Sequence, residues 1–280
     1  MIRIYRTAQH IVVEHQQQFY YYPHQDWDRL VNEPFLHNHL LDFTKSAKAI
    51  NADTWLGSKT KLMAPINSQE VWASGVTYLR SRDARMEESE HAKSAYDLVY
   101  DADRPELFFK SLAHRVAGPG EHVNIRKDST WNVPEPEVTL FVNNQGQIAG
   151  YTIGNDMSSR SIEGENTLYL PQAKTYERSA ALGPCLMISP DPLPPSTGIE
   201  LKIFRENSCV YHGQTTVSTM KRNFTELKEY LLRGLIFEKG CYLMTGTGIV
   251  PPSSFTLESG DIVTIQIDGI GELENVVRWF

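Results

Sequence analysis

Residues 131–141 run Trp-Asn-Val-Pro-Glu-Pro-Glu-Val-Thr-Leu-Phe, and no other stretch limits so firmly what this chain can fold into. A residue that precedes proline avoids the helical region, so Pro134 and Pro136 enforce extended backbone around Glu135. Val138, Leu140 and Phe141 then continue as an apolar strand. In extended backbone Glu135 and Glu137 point to one face. Like charges side by side on a strand face are destabilising unless something offsets them. A cation does so; the plain alternative is a solvated pair on an edge strand, where proline is tolerated.

A second acid follows a strand pattern at residues 148–153. Asp156 stands at that strand's end, in Gly154-Asn155-Asp156-Met157-Ser158-Ser159-Arg160. Strand ends that run into loops often carry functional groups, although an Asx turn or helix cap would use the same residue. Residues 143–146 predict a hairpin turn, which brings Asp156 toward Glu135 and Glu137. An all-oxygen set of this kind favours Mg²⁺, with Mn²⁺ or Ca²⁺ as alternatives, over zinc or copper. Three protein ligands leave positions open for water and substrate, as catalysis requires.

Two further features suit such a centre. Lys174, in Leu170-Pro171-Gln172-Ala173-Lys174, can hold a carboxylate substrate or move a proton; a lone lysine is otherwise a solvated one. Thr245-Gly246-Thr247 follows a strand pattern, and its small residues let backbone N–H groups approach an anion or make a tight turn. Neither a dinucleotide fingerprint nor a P-loop occurs, and no nucleophile elbow is present. His37 and His39 lack partner ligands and read as solvated.

The 280 residues, 41% of them hydrophobic, can build a real core. A formal charge of −7 argues against nucleic acid as a partner. Cys185, Cys209 and Cys241 form no CxxC pair and read as buried thiols in a reducing cytoplasm. No segment is apolar for long enough to span a membrane. The pattern divides the chain into a small N-terminal α+β domain, 1–66, and a strand-rich catalytic domain, 67–280. Strands are expected at 2–5, 11–15, 19–22, 71–78, 107–110, 137–142, 148–153, 199–205, 210–217, 242–245, 261–267 and 273–277. A helical stretch at 26–48 is split by Pro34, residues 81–101 are a charged helix or flap, and residues 223–237 form an amphipathic helix.

These motifs, taken in order, resemble the fumarylacetoacetate hydrolase superfamily from about residue 71 to the end. The pair Glu135 and Glu137, the Asn155–Arg160 segment, Lys174, Thr245-Gly246-Thr247 and the closing stretch at 259–275 carry the resemblance. It implies a mixed β-roll of α+β class and a homodimer or homotetramer. It also implies Mg²⁺ on Glu135, Glu137 and Asp156, and a 2-oxo acid substrate held with help from Lys174 and Thr247. Hydrolases of this superfamily carry a flap histidine that activates water; the equivalent position here is Ser81, which cannot act as that base. The flap and the segments 104–110 and 162–174 resemble the branch of 2-keto-3-deoxy-pentonate dehydratases of the arabinonate and xylonate type, whose product is 2-oxoglutarate semialdehyde.

Dehydration needs no attacking water. A metal ion on the 2-oxo group acidifies the C3 protons, and Lys174, Glu106 or Glu163 is expected to serve as the base. Tyr78, Ser81, Arg82, Arg85, Gln172 and Thr247 are the residues expected to bind substrate. Two rivals keep the same metal residues: an acylpyruvate or 2,4-dioxo-acid hydrolase or decarboxylase, and a metal-binding protein without turnover.

Overall fold

The computed structural model describes residues 1–55, 61–88 and 98–280, with side chains throughout those segments except at positions 53, 54 and 84–88. The architecture is the expected α+β class, built on two mixed sheets. The larger sheet has the order Gln18–Tyr22, Ile11–His15, Ile2–Thr7, Ala180–Ile188, Ile148–Asp156, Pro136–Val142, Cys241–Met244, Glu70–Gly75, Glu106–Leu112. The short strands Leu62–Met63 and Val116–Ala117 flank Ile2–Thr7 and Ala180–Ile188. A five-stranded sheet runs Ser208–Thr216, Gly198–Arg205, Ile262–Ile267, Gly271–Trp279, His122–Ile125.

Alternation along the strands separates two cores. Val138, Leu140, Ile153 and Met187 face the five-stranded sheet, where Ile199, Leu201, Val263 and Ile265 meet them. Phe141, Leu182, Leu186 and Met244 face the other way and pack with Ile2, Ile4, Trp27, Leu30 and Leu40 of the N-terminal segment. That segment keeps the α+β character expected of residues 1–66. It nevertheless shares both a sheet and a core with the remainder, because Ile2, Arg3 and Ile4 pair with Ile188, Met187 and Leu186.

Most expected elements occur within a few residues of their predicted bounds. Pro34 separates the helices Trp27–Val31 and Leu36–Ser46, and Phe35 between them takes a left-handed φ of 53°. The expected helix at 223–237 is shorter, Phe224–Leu232. Asn223 caps it through the Glu226 N–H, and Ile236, beyond its end, is 91% exposed. The helix ends at the C-cap Arg233, sooner than the apolar pattern suggested. Residues 79–88 of the charged flap are helical, while 89–97 lie outside the described residues. Of the thiols, Cys185 and Cys241 are buried, but Cys209 is exposed on an outer strand, which corrects the reading of three buried cysteines.

The sequence reading missed the strand Ala180–Ile188, which lies between Ile2–Thr7 and Ile148–Asp156 near the middle of the large sheet. Gly183 and Pro184 within it argue against a central strand. The structure accommodates them at a register shift, where Tyr151 pairs with Met187 but Ile153 with Gly183. Gly150 also lies at this junction. A Cβ there would fall 2.8 Å from the Met187 carbonyl oxygen and 2.9 Å from Ile188 Cδ1. Gly150→Ala is therefore expected to cost about 2–3 kcal/mol, read as a lower urea midpoint at unchanged slope.

Candidate metal centre

The hairpin register assembles the acids. Pro136 pairs with Asn155 and Glu137 with Gly154, and the Asp156 N–H donates to the Glu135 carbonyl at 3.0 Å. Glu135 therefore lies opposite Asp156 on the face that also carries Glu137. Asn143 closes the turn by accepting from the N–H groups of Gln145 and Gln147. Glu135, Glu137 and Asp156 are 4%, 1% and 1% exposed. Each offers an oxygen to a set whose members all lie within 4.8 Å of one another. Their burial removes the alternative of a solvated edge pair.

Buried cations surround them. Lys174 Nζ donates to Glu135 Oε2 at 2.6 Å, Asp156 Oδ2 at 3.1 Å and Ser158 Oγ at 2.5 Å. Lys110 pairs with Asp156 Oδ1 at 2.6 Å and donates to the Met157 carbonyl at 3.0 Å. Arg160 Nη2 donates to Glu135 Oε1 at 2.5 Å. All three cations are essentially inaccessible. Glu137 instead accepts the Gly246 N–H at 2.6 Å. A Cβ on Gly246, whose φ is 91°, would fall 2.0 Å from Thr77 Oγ1, so a bare backbone is needed there.

Protonation follows the partners. Burial, followed by the charges of Asp156 and Glu135, pushes Glu137 well above the ordinary carboxyl range. Burial alone would raise Asp156 too, but Lys110 and Lys174 outweigh it and hold Asp156 below that range. Burial lowers the Lys110 ammonium against the pull of Asp156. A hard divalent ion suits such a site: all ligands are oxygens, and Glu137 has no cationic partner at hydrogen-bond distance among the described residues.

The remaining expected residues divide. Lys174 is in the centre. Glu106 and Phe108 share one face of the strand Glu106–Leu112, and Lys174 Nζ lies 5.6 Å from the Phe108 ring centroid. A Cβ on Gly75 would fall 1.9 Å from Glu106 Oε2, so the glycine makes room for that carboxyl group. Glu163 is fully buried on the short helix Arg160–Glu165, beside the Arg160 end. Tyr78 is 1% exposed, its hydroxyl has no hydrogen-bond partner among the described residues, and burial and Glu137 both raise its pKa. Ser81 is buried. Arg82 pairs with Asp83 at 2.9 Å and stacks over Tyr100. Thr247 Oγ1 donates to the Ile249 carbonyl at 3.1 Å. Gln172 is exposed, outside the cluster, and the Arg85 side chain lies outside the described ones. His39 bonds the Tyr22 hydroxyl at 2.8 Å, far along the chain from the acids.

Lys110, Arg160 and Ser158 were not singled out by sequence. Arg160 and Ser158 stand inside a motif that was recognised, so their position was available as a signal. Lys110 closes the segment 104–110 that carried part of the resemblance, but no role was read from it; the register there passes from Trp72–Phe109 to Val71–Ser111, and this bulge leaves Lys110 without a partner across the ladder.

The shifts fix a sign for stability. A carboxyl group raised in the fold contributes stability below its unfolded pKa and loses it as pH rises through the folded value. Asp156, held low, contributes above its ordinary range and loses stability on acidification. Glu137→Gln should therefore stabilise the metal-free protein by about 1–3 kcal/mol near neutral pH. The gain should fade in acid, below the ordinary carboxyl range. Paired denaturation curves against pH check this, and a variant that is less stable at neutral pH would contradict the assignment.

Comparison with known proteins gives this geometry its context. Residues 71–278 match the family model described as fumarylacetoacetate (FAA) hydrolase C-terminal. A protein of Haloferax volcanii named probable 2-keto-3-deoxyxylonate dehydratase is 46% identical over 214 residues, 76% of this chain and 73% of its own. The 2-dehydro-3-deoxy-D-arabinonate dehydratase of Saccharolobus solfataricus is 41% identical over 222 residues, 78% and 74% of the two chains. A solved 2-keto-3-deoxy-D-arabinonate dehydratase, complexed with magnesium and 2,5-dioxopentanoate, superposes with a TM-score of 0.82 at 31% identity, covering 100% of this chain and 99% of that one. With the acid pair, the Asn155–Arg160 segment, Lys174 and the Thr245–Thr247 loop gathered in one buried centre, the chain belongs to the fumarylacetoacetate hydrolase family.

Proposed function

We propose that this protein is a Mg²⁺-dependent dehydratase of a 2-keto-3-deoxy pentonate, with 2-oxoglutarate semialdehyde (2,5-dioxopentanoate) as product. The observation that carries the reading is the buried, all-oxygen triad with Lys174 at its edge, and the dehydratase names of the relatives support it. Glu135, Glu137 and Asp156 would hold the ion. Bound there, Mg²⁺ supplies Lewis-acid polarisation of the substrate's 2-oxo group.

The protein's own groups then handle protons. A base removes a C3 proton, the C4 hydroxyl leaves as water with proton assistance, and proton shifts through the unsaturated alcohol give the terminal aldehyde. Glu106 suits the base role better than Glu163, because it is partly exposed while Glu163 is fully buried. Lys174 orients the substrate carboxylate or returns a proton. Tyr78, whose buried hydroxyl has no hydrogen-bond partner among the described residues, is proposed to meet a substrate hydroxyl, and Ser81, Arg82 and Thr247 complete the proposed wall. Ser81 offers no water-activating imidazole, which favours elimination over hydrolysis.

The proposed residues all fall within 67–280, so the segment 1–66 is proposed as a supporting unit. Assembly into dimers or tetramers is part of the same proposal. No helix among the described residues is long and apolar enough to cross a membrane.

Turnover of 2-keto-3-deoxy-D-xylonate and its C4 epimer, with semialdehyde read through a coupled dehydrogenase, tests the function. Product should appear with Mg²⁺ and vanish with chelator; activity retained after chelation would sink the metal reading. Pyruvate released from an acylpyruvate, with no semialdehyde, would establish the hydrolase alternative, and ligand-induced stabilisation without product would favour a binding protein. Glu137→Gln should abolish metal-dependent turnover. Glu106→Gln should lower kcat by about 10²–10³ with KM changed only a few-fold.

A further inference from the structure

Lys174 has three N–H donors, and all three are spent on the protein: Glu135 Oε2, Asp156 Oδ2 and Ser158 Oγ. In this arrangement no donor remains for a substrate. The other oxygens of the two acids also face cations. Glu135 Oε1 accepts from Arg160, and Asp156 Oδ1 faces Lys110. Both of those cations are fully buried on neighbouring elements, so they cannot withdraw without leaving a charge uncompensated. The oxygens that Lys174 holds, Glu135 Oε2 and Asp156 Oδ2, are the pair an entering ion can gain by displacing a single cation.

We propose that Lys174 occupies the place of the divalent cation in the metal-free protein, and that metal binding and the release of Lys174 toward substrate are a single exchange. This rests on the metal-centre reading above and deepens it. An entering ion takes Glu135 Oε2 and Asp156 Oδ2 in competition with the ammonium. Lys174 keeps Ser158 as an anchor and regains free donors, which a 2-oxo acid's carboxylate can accept. Metal occupancy thereby prepares the lysine, and an anionic substrate bound to it offsets the positive charge the ion brings. In the metal-free centre Glu135 and Asp156 stay charge-paired, while Lys174 has no donor left for substrate.

The test is metal affinity, independent of turnover. Mg²⁺ and Mn²⁺ binding is measured by calorimetry for wild type, Lys174→Met and Lys174→Gln. Removing a positive charge that competes for two ligand oxygens should tighten binding by roughly tenfold or more. The metal-free variants should melt below wild type and gain more from added Mg²⁺ than wild type does. Lys174→Gln keeps a hydrogen-bonding group beside Ser158 and serves if Lys174→Met does not fold. Wild-type binding with unchanged or weaker affinity in the folded variant overturns the exchange and leaves the metal centre standing. No binding by wild type, with Glu137→Gln indistinguishable from it, overturns the metal-centre reading and the exchange together.

Discussion

The centre of this structure depends on the pairing of buried charge. Three carboxylates on one hairpin face have been taken out of water, and each would be costly there alone. Lys110, Lys174 and Arg160 make their burial tolerable, and each comes from a different element: the strand Glu106–Leu112, the helix Leu170–Lys174 and the helix Arg160–Glu165. Those elements must close on the hairpin for the charges to balance. The same pairing is unequal by design of the chain. Glu135 and Asp156 share the cations, while Glu137 receives, among the described residues, only a backbone N–H at hydrogen-bond distance, so one carboxyl group remains costly until something positive arrives.

The fold serves that pairing. The five-stranded sheet and the N-terminal helices cover opposite faces of the large sheet with apolar side chains, which keeps the hairpin Pro136–Asp156 central and rigid. Functional groups on strands backed by two cores are held more tightly than groups on loops. The loop Thr245–Thr247 and the flap at 75–83 meet through Thr77, which donates to the Thr245 carbonyl at 2.7 Å. The segment bearing Tyr78 and Ser81 is thus fixed to the strand end that presents Gly246 to Glu137.

Local rules made much of this legible. The proline-spaced glutamates, the Asn143–Gly146 turn and the alternating strands around them follow from backbone sterics and period-2 burial, so the triad could be read before any coordinate. The helix split at Pro34 is local in the same sense. The strand Ala180–Ile188 was not, because its Gly183 and Pro184 make sense only beside the shifted register of Ile148–Asp156. The role of Lys110 was not, because its partner Asp156 comes from a distant strand. Gln172, adjacent to Lys174 in the motif, is exposed, and the Thr247 hydroxyl donates within its own loop; neither arrangement is legible in the chain.

The sequence by itself determined the acids, their common face, and the hairpin that joins them, since these depend on residues close in the chain. Its motif order was enough to place it in a family. Only the tertiary structure decided which cations meet those acids and which oxygens they occupy. Lys110 lies 46 positions from Asp156 and Arg160 lies 25 from Glu135, and no local pattern records such meetings. They exist because burying apolar faces brings the strand, the two short helices and the hairpin together, and burial then makes every unpaired charge too costly to leave.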